Sequence, residues 1–193
     1  MIKVGITGGI GAGKTIVAQI LKALGYPVYP ADREAKRLMT ESPEIKKAVI
    51  ALLGENAFEG SQLNRPFIAQ SLFGNNILLK KINALVHPAV KSDFLWWVAT
   101  FPSSSLLFIE SALIYQANLQ NELNTIVSIT APLPLRIERI MKRDGITERA
   151  ALNRIAAQKE EEEKALNAGV TICNDNQTAL IPQVQSLLDM MRH

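Results

Sequence analysis

Long apolar runs are missing from this chain, and cysteine very nearly so. No stretch approaches the roughly 18 consecutive apolar residues of a membrane-spanning helix, so no membrane partner is expected. Cys173 is the only cysteine in 193 residues. That excludes an intramolecular disulfide, and its apolar neighbours read as the surroundings of a buried thiol, in keeping with a reducing compartment such as the cytoplasm. No Lys/Arg-rich run or basic-aromatic stripe accompanies the net charge of +3, so nucleic acid is not expected as a partner either. Internal repeats and low-complexity tracts are absent. The opening apolar stretch is too short for a signal peptide and runs directly into a glycine-rich segment. What remains is a chain 48% hydrophobic and 20% charged, enough to bury one core with insertions.

The richest stretch is Gly8-Gly9-Ile10-Gly11-Ala12-Gly13-Lys14-Thr15, which satisfies G-x-x-x-x-G-K-[ST] in full. Its flanks fit a phosphate-binding loop: Ile2, Val4 and Ile6 alternate as in a strand, while Ile16, Val17, Ile20, Leu21 and Leu24 recur at helical spacing. Glycines allow successive N–H groups to turn toward one anion, and the following helix adds its free N–H groups and positive dipole end. Residues Gly9 to Ile16 are thus the expected nucleotide contacts. Lys14 would reach the β- and γ-phosphates and Thr15 would hold Mg²⁺.

Further along, Val28-Tyr29 reads as a second strand ending at Pro30-Ala31-Asp32. Asp32 then lies at the ligand-binding edge of a parallel sheet, where its carboxylate could take a proton or support Mg²⁺. The same position before Arg33-Glu34-Ala35 equally suits a helix N-cap. Residues 32–101 read as helical with no strong strand signal, with Pro43 opening one helix and His87-Pro88 marking a break or kink in another. Such a block is too long for a crossover and is expected to be an inserted acceptor-binding domain. Leu106-Leu107-Phe108-Ile109 suits a strand buried on both faces. Glu110 ends it, either as a carboxylate supporting Mg²⁺ or as a solvated turn residue. Residues 125–129 and 170–173 supply the fourth and fifth strands. Arg139 and Arg143, four apart on one helix face, could clamp a phosphoryl group or simply face solvent. The Glu160-to-Glu163 run reads as a solvated face, and Leu180, Val184, Leu187 and Leu188 as a terminal helix on the sheet.

These residues together resemble the dephospho-coenzyme A kinases. That family's G-[LI]-T-G-G-I-G-[SA]-G-K-[ST] opening is matched from Gly5 to Thr15, its D-A-D by Pro30-Ala31-Asp32, and its L-[DN]-R by Leu63-Asn64-Arg65 with Phe73 as the following aromatic. Its H-P-x-[VIL] is His87-Pro88-Ala89-Val90, its R-x-x-x-R-D-G runs from Arg139 to Gly145, its R-I-x-x-Q ends at Gln158, and its late asparagine is Asn174. The chain departs from the pattern at Pro30, at Ala112 and Gln116 after the third strand, at Gly169 in Ala168-Gly169, and at Arg136, where glutamine is usual.

The resemblance implies an α/β fold of the P-loop NTPase type, three-layered about a five-stranded parallel sheet. Its nucleotide-binding core would comprise 1–31, 102–134 and 165–193, its dephospho-coenzyme A-binding helical insertion 32–101, and its small helical lid 135–164. It also implies ATP, with Mg²⁺, as phosphoryl donor to the ribose 3′-hydroxyl of dephospho-coenzyme A. Asp32 would be the base, with Lys14, Arg139 and Arg143 on the transferring group and Mg²⁺ near Thr15 and Glu110. Arg65, His87 and Lys91 would hold the acceptor, and Asn174 would border the adenine. A nucleoside monophosphate kinase of the same fold is the neighbouring alternative. A GTP-binding switch would carry N-K-x-D and D-x-x-G, and neither motif is present.

Overall fold

The computed structural model describes every residue except Phe73, Ala168 and His193, so the expectations attached to Phe73 and Ala168 fall outside the described residues. In chain order the first elements are β1 (Ile2–Thr7), α1 (Lys14–Ala23), β2 (Val28–Pro30), α2 (Ala31–Glu41), α3 (Pro43–Leu53), β3 (Phe58–Glu59), β4 (Gln62–Leu63), α4 (Arg65–Leu72) and α5 (Asn76–Ala99). There follow β5 (Leu106–Glu110), β6 (Thr125–Thr130), α6 (Leu133–Asp144), α7 (Glu148–Ala156), α8 (Lys159–Leu166), β7 (Gly169–Cys173) and α9 (Leu180–Met190). By internal contacts the chain divides into two compact units, Met1–Tyr29 with Phe101–His193, and Pro30–Thr100.

The first unit is built on a five-stranded parallel sheet in the order β2-β5-β1-β6-β7. β1 is central, its Ile2 opposite Leu106 on one side and its Val4 opposite Thr125 on the other. The chain leaves β1 toward β2 on one flank and later returns to β6 on the other. The carboxyl end of β1 is therefore the switch point at which open α/β sheets form a crevice. Burial explains the strand patterns: Leu107, Phe108 and Ile109 are fully enclosed, as a continuous apolar run requires. Val4, Ile6, Val17, Leu21, Phe108, Val127 and Ile172 share one core with Val184 and Leu187 of α9, and Leu180 packs against it. Tyr26 meets Phe108 edge to face at 5.8 Å between ring centres. Cys173 is only half-buried, so the expectation of a buried thiol is corrected: strand β7 presents it near the sheet end, beside Asp175.

The second unit is mainly helical. Ser42 caps α3 through Ile45 N–H, Pro43 occupies its first turn and Gly54 ends it. Two expectations are corrected here. β3 and β4 form a small antiparallel hairpin, Phe58 opposite Leu63 and Glu59 opposite Gln62, whose two-residue strands are too short to show alternation. And α5 runs through Pro88 as one helix, so of the expected break or kink it is the break that is corrected. Its buried stripe of Ile82, Val86, Val90, Phe94 and Val98 recurs every fourth residue on both sides of the proline, while Pro88 itself is exposed. Packing of that stripe against α2 and α3 outweighs the hydrogen bond that proline removes, and water can satisfy the freed carbonyl. Arg37 of α2 donates to Glu34 and, at 2.7 Å, to Asp93 of α5, which fastens the two helices. These carboxylates, Glu34 first, hold the Arg37 pKa above its ordinary value. Among the described residues no helix is long and apolar enough to cross a membrane.

Candidate active site

The phosphate loop joins β1 to α1 at the switch point. Gly13 caps α1 with φ 101°, a left-handed conformation that glycine adopts without the Cβ penalty, and this turns the chain abruptly into the helix. Lys14 Nζ lies folded over the loop, donating to the carbonyls of Gly8 at 2.7 Å and Gly9 at 3.2 Å. Thr15 is exposed on the first turn of α1 and donates from Oγ1 to Glu110 Oε1 at 2.6 Å. The end of β5 and the start of α1 thus bring two hard oxygen donors together in the open crevice. Magnesium, which keeps most of its waters and takes one or two protein oxygens besides phosphate, fits that donor set. Among the described residues no group of three or more His, Cys, Asp or Glu side chains is arranged to hold a metal. Ile16 is exposed, whereas Ala12 is buried under the loop.

Around the loop's outer side stand residues from distant parts of the chain. Arg139 donates to Gly11 O at 3.2 Å and to Asn176 Oδ1 at 2.7 Å, and also reaches Asn174. Asn174 is buried and donates from Nδ2 to Ala12 O at 2.8 Å. Arg143, the other arginine of the expected pair, faces elsewhere: it forms a two-pronged pair with Asp144 at 2.7 and 2.9 Å. Arg154 also pairs with Asp144. Arg143 first and Arg154 second hold the Asp144 carboxyl below its usual range. The structure therefore gathers the loop, Glu110, Arg139 and Asn174, and gives Arg143 a separate ion pair.

Asp32, Arg65, His87 and Lys91 belong to the second unit. Asp32 is the second residue of α2, whose N-cap is Pro30, so its N-cap reading is corrected; it sits inside the first turn, with Glu34. Arg65 is exposed at the start of α4. His87 and Lys91, half-buried, lie one turn apart on α5.

Three residues to which the sequence reading gave no role sit against the loop or behind it. Arg136 is 9% exposed; its Nε donates to Ile10 O at 2.9 Å, and its two terminal nitrogens grip Glu162 at 2.8 and 2.6 Å. Gln158 accepts Ile10 N–H at 2.8 Å. Glu161 is 2% exposed and accepts the N–H groups of Tyr115 at 2.7 Å and Gln116 at 3.1 Å. Burial pushes its carboxyl pKa up, against the pull of those two bonds. The Glu160-to-Glu163 run is consequently not wholly a solvated face: Glu161 bonds the backbone at 115–116 and Glu162 pairs with Arg136, while Glu160 and Glu163 stay exposed. One signal was available: Ala165, also buried, lies one turn after Glu161 and marks the inner face of α8. Beside the loop a cavity of about 240 Å³ opens between Gly8, Gly9 and the end of β6, with Arg136 and Glu162 as its charged wall.

Comparison with known proteins agrees with this geometry. The family model described as dephospho-CoA kinase matches residues 2–179. A dephospho-CoA kinase of Bacteroides fragilis is 37% identical over 187 residues, covering 97% of this chain and 91% of its own. One of Porphyromonas gingivalis is 37% identical over 193 residues, covering 100% of this chain and 95% of its own. The crystal structure of TT1252 from Thermus thermophilus superposes with a TM-score of 0.81 at 30% identity, covering 98% of this chain and 95% of that one. With a matching fold, a complete phosphate loop and full-length relatives, the chain belongs to the dephospho-CoA kinase family, transferases that phosphorylate dephospho-coenzyme A with ATP in coenzyme A biosynthesis.

Proposed function

We propose that the protein transfers the γ-phosphoryl group of ATP to the ribose 3′-hydroxyl of dephospho-coenzyme A, in the cytoplasm and with Mg²⁺. The observation that carries this reading is the loop itself, where Lys14 lies over the phosphate cradle and Thr15 Oγ1 stands 2.6 Å from Glu110. Thr15 and Glu110 would hold the metal, which when bound neutralises charge on the phosphates and aligns them.

The chain's own groups do the rest. Asp32 accepts the proton of the attacking hydroxyl, which raises the oxygen's nucleophilicity as the bond to phosphorus forms. Lys14 and Arg139 oppose the charge that spreads over the transferring group, and Arg143 joins them by exchanging Asp144 for phosphate oxygens. Arg65, His87 and Lys91 hold the acceptor within the helical insertion, 32–101. Within residues 135–164, the part between the anchored Arg136 and Gln158 acts as a lid that excludes water, the competing acceptor. The turn after β7, at Asn174, borders the adenine.

The test is ADP release with Mg-ATP and dephospho-coenzyme A, AMP, CMP or no acceptor, with the product's mass determined. Release that depends on dephospho-coenzyme A and yields the 3′-phosphorylated product is the expected result. Release only with a nucleoside monophosphate would overturn the acceptor assignment.

A further inference from the structure

Three consecutive carbonyls of the phosphate loop are each taken by a side chain from outside it. Ile10 O accepts from Arg136 Nε at 2.9 Å, Gly11 O from Arg139 Nη1 at 3.2 Å, and Ala12 O from Asn174 Nδ2 at 2.8 Å. In a trans peptide the C=O and the next residue's N–H point in opposite directions. Drawing the carbonyls of Ile10 and Ala12 outward therefore turns the N–H groups of Gly11 and Gly13 the other way, which is how a backbone anion cradle is formed. Ala12 N–H, between them, bonds to Gly9 O at 3.1 Å within the loop.

Arg136 is itself locked in place. It closes a ring with Glu162, with Gln158 one helical turn back, and with Ile10, whose N–H donates to Gln158 and whose C=O accepts from Arg136. The ring lies so close that a methyl group at Gly9 would overlap Arg136 Nη2 and the Glu162 carboxylate. Gly9 has no positive φ, so this close approach, and not backbone conformation, is what its lack of a side chain serves.

We propose that Arg136, with Gln158 and Glu162 as supports, forms a positioning set whose members hold the cradle in its anion-ready form. They set nucleotide affinity and leave the transfer step alone. Preorganisation is the physical reason: a loop whose peptides can rotate must be ordered by the ligand, and that cost comes out of the binding free energy. This rests on the loop binding the nucleotide phosphates, which ADP titration of the wild-type protein checks by itself.

The experiment titrates ADP calorimetrically into the wild type, Gln158→Ala, which removes the acceptor of Ile10 N–H, and the double variant Arg136→Met with Glu162→Gln, which removes both charges of the pair together. Melting temperatures are measured in parallel. Each folded variant is expected to bind ADP about tenfold more weakly, the worth of one well-made hydrogen bond, and to raise the KM for ATP equally. At saturating ATP, kcat should stay within about twofold of wild type, a split that general destabilisation does not produce. Glu163→Gln, whose partner is the exposed Lys159, should bind ADP as the wild type does. A folded variant, single or double, that keeps ADP affinity within about threefold of the wild type overturns the proposal. Wild-type protein that fails to bind ADP overturns the phosphate-loop reading instead.

Discussion

Glu161 offers the sharpest test of the idea that the acidic run is structural. Its carboxylate, 2% exposed, is the acceptor for two backbone N–H groups, those of Tyr115 and Gln116. Glu161→Ala leaves the part-buried N–H groups of Tyr115 and Gln116 without their acceptor, at about 1–3 kcal/mol each. It also removes a desolvated charge, which offsets part of that loss. The balance is a destabilisation of about 3 kcal/mol, which in a protein of this size lowers the melting temperature by roughly 6–12 °C. Glu160→Ala is the matched control: that side chain is 80% exposed and pairs with Lys164, so it should cost under about 0.5 kcal/mol.

A pH arm tests the same residue independently. The folded state holds the Glu161 proton more tightly than the unfolded chain, because burial raises its pKa above 4.5. That contribution to stability is full below the unfolded value and is lost as pH rises through the folded one. The gap between wild type and Glu161→Gln should therefore be wider at pH 4 than at pH 7, measured by thermal melts followed by circular dichroism. A melting temperature for Glu161→Ala within about 2 °C of wild type, or a gap that narrows in acid, would refute the reasoning.

Other substitutions separate binding from chemistry. Asp32→Asn should lower kcat by about 10²–10⁴ in the coupled ADP assay while ADP affinity stays unchanged; normal turnover would remove Asp32 as the base. Glu110→Gln weakens an oxygen donor beside Thr15, so the Mg²⁺ concentration for half-maximal rate should rise severalfold, and an unchanged requirement would count against a metal role. Arg37→Met leaves Glu34 and Asp93 without their shared cation and should lower stability by about 1–2 kcal/mol, seen as a lower melting temperature, with the KM for ATP unaltered.

Legibility in the sequence followed the range of the interactions. The loop and its flanking strand and helix were readable because the spacing of glycines, lysine and threonine encodes a local backbone path, and Glu110 because a buried strand must end where its apolar run does. The hairpin at Phe58 and Leu63 and the unbroken α5 were not, since each is decided by packing that a pattern of residue types leaves out. Arg139 and Arg143 share a helix face, as their spacing requires. Nothing in that spacing told that Arg139 would turn to Asn176 and Gly11 while Arg143 turned to Asp144.

The loop shows most plainly where such reading stops. A motif records the residues whose own N–H groups and side chains can meet phosphate, because those are constrained at fixed spacing within eight positions. The donors that turn the carbonyls away come from sequence separations of 126 for Arg136, 128 for Arg139 and 162 for Asn174. No local pattern can record them. They are drawn together only once β6 has paired with β1 and β7 with β6, since α6 follows directly from β6 and Asn174 from the end of β7. The cradle is thus a product of the assembled sheet as much as of its glycines, and a glycine-rich loop cut from this chain would lack the contacts that aim its backbone.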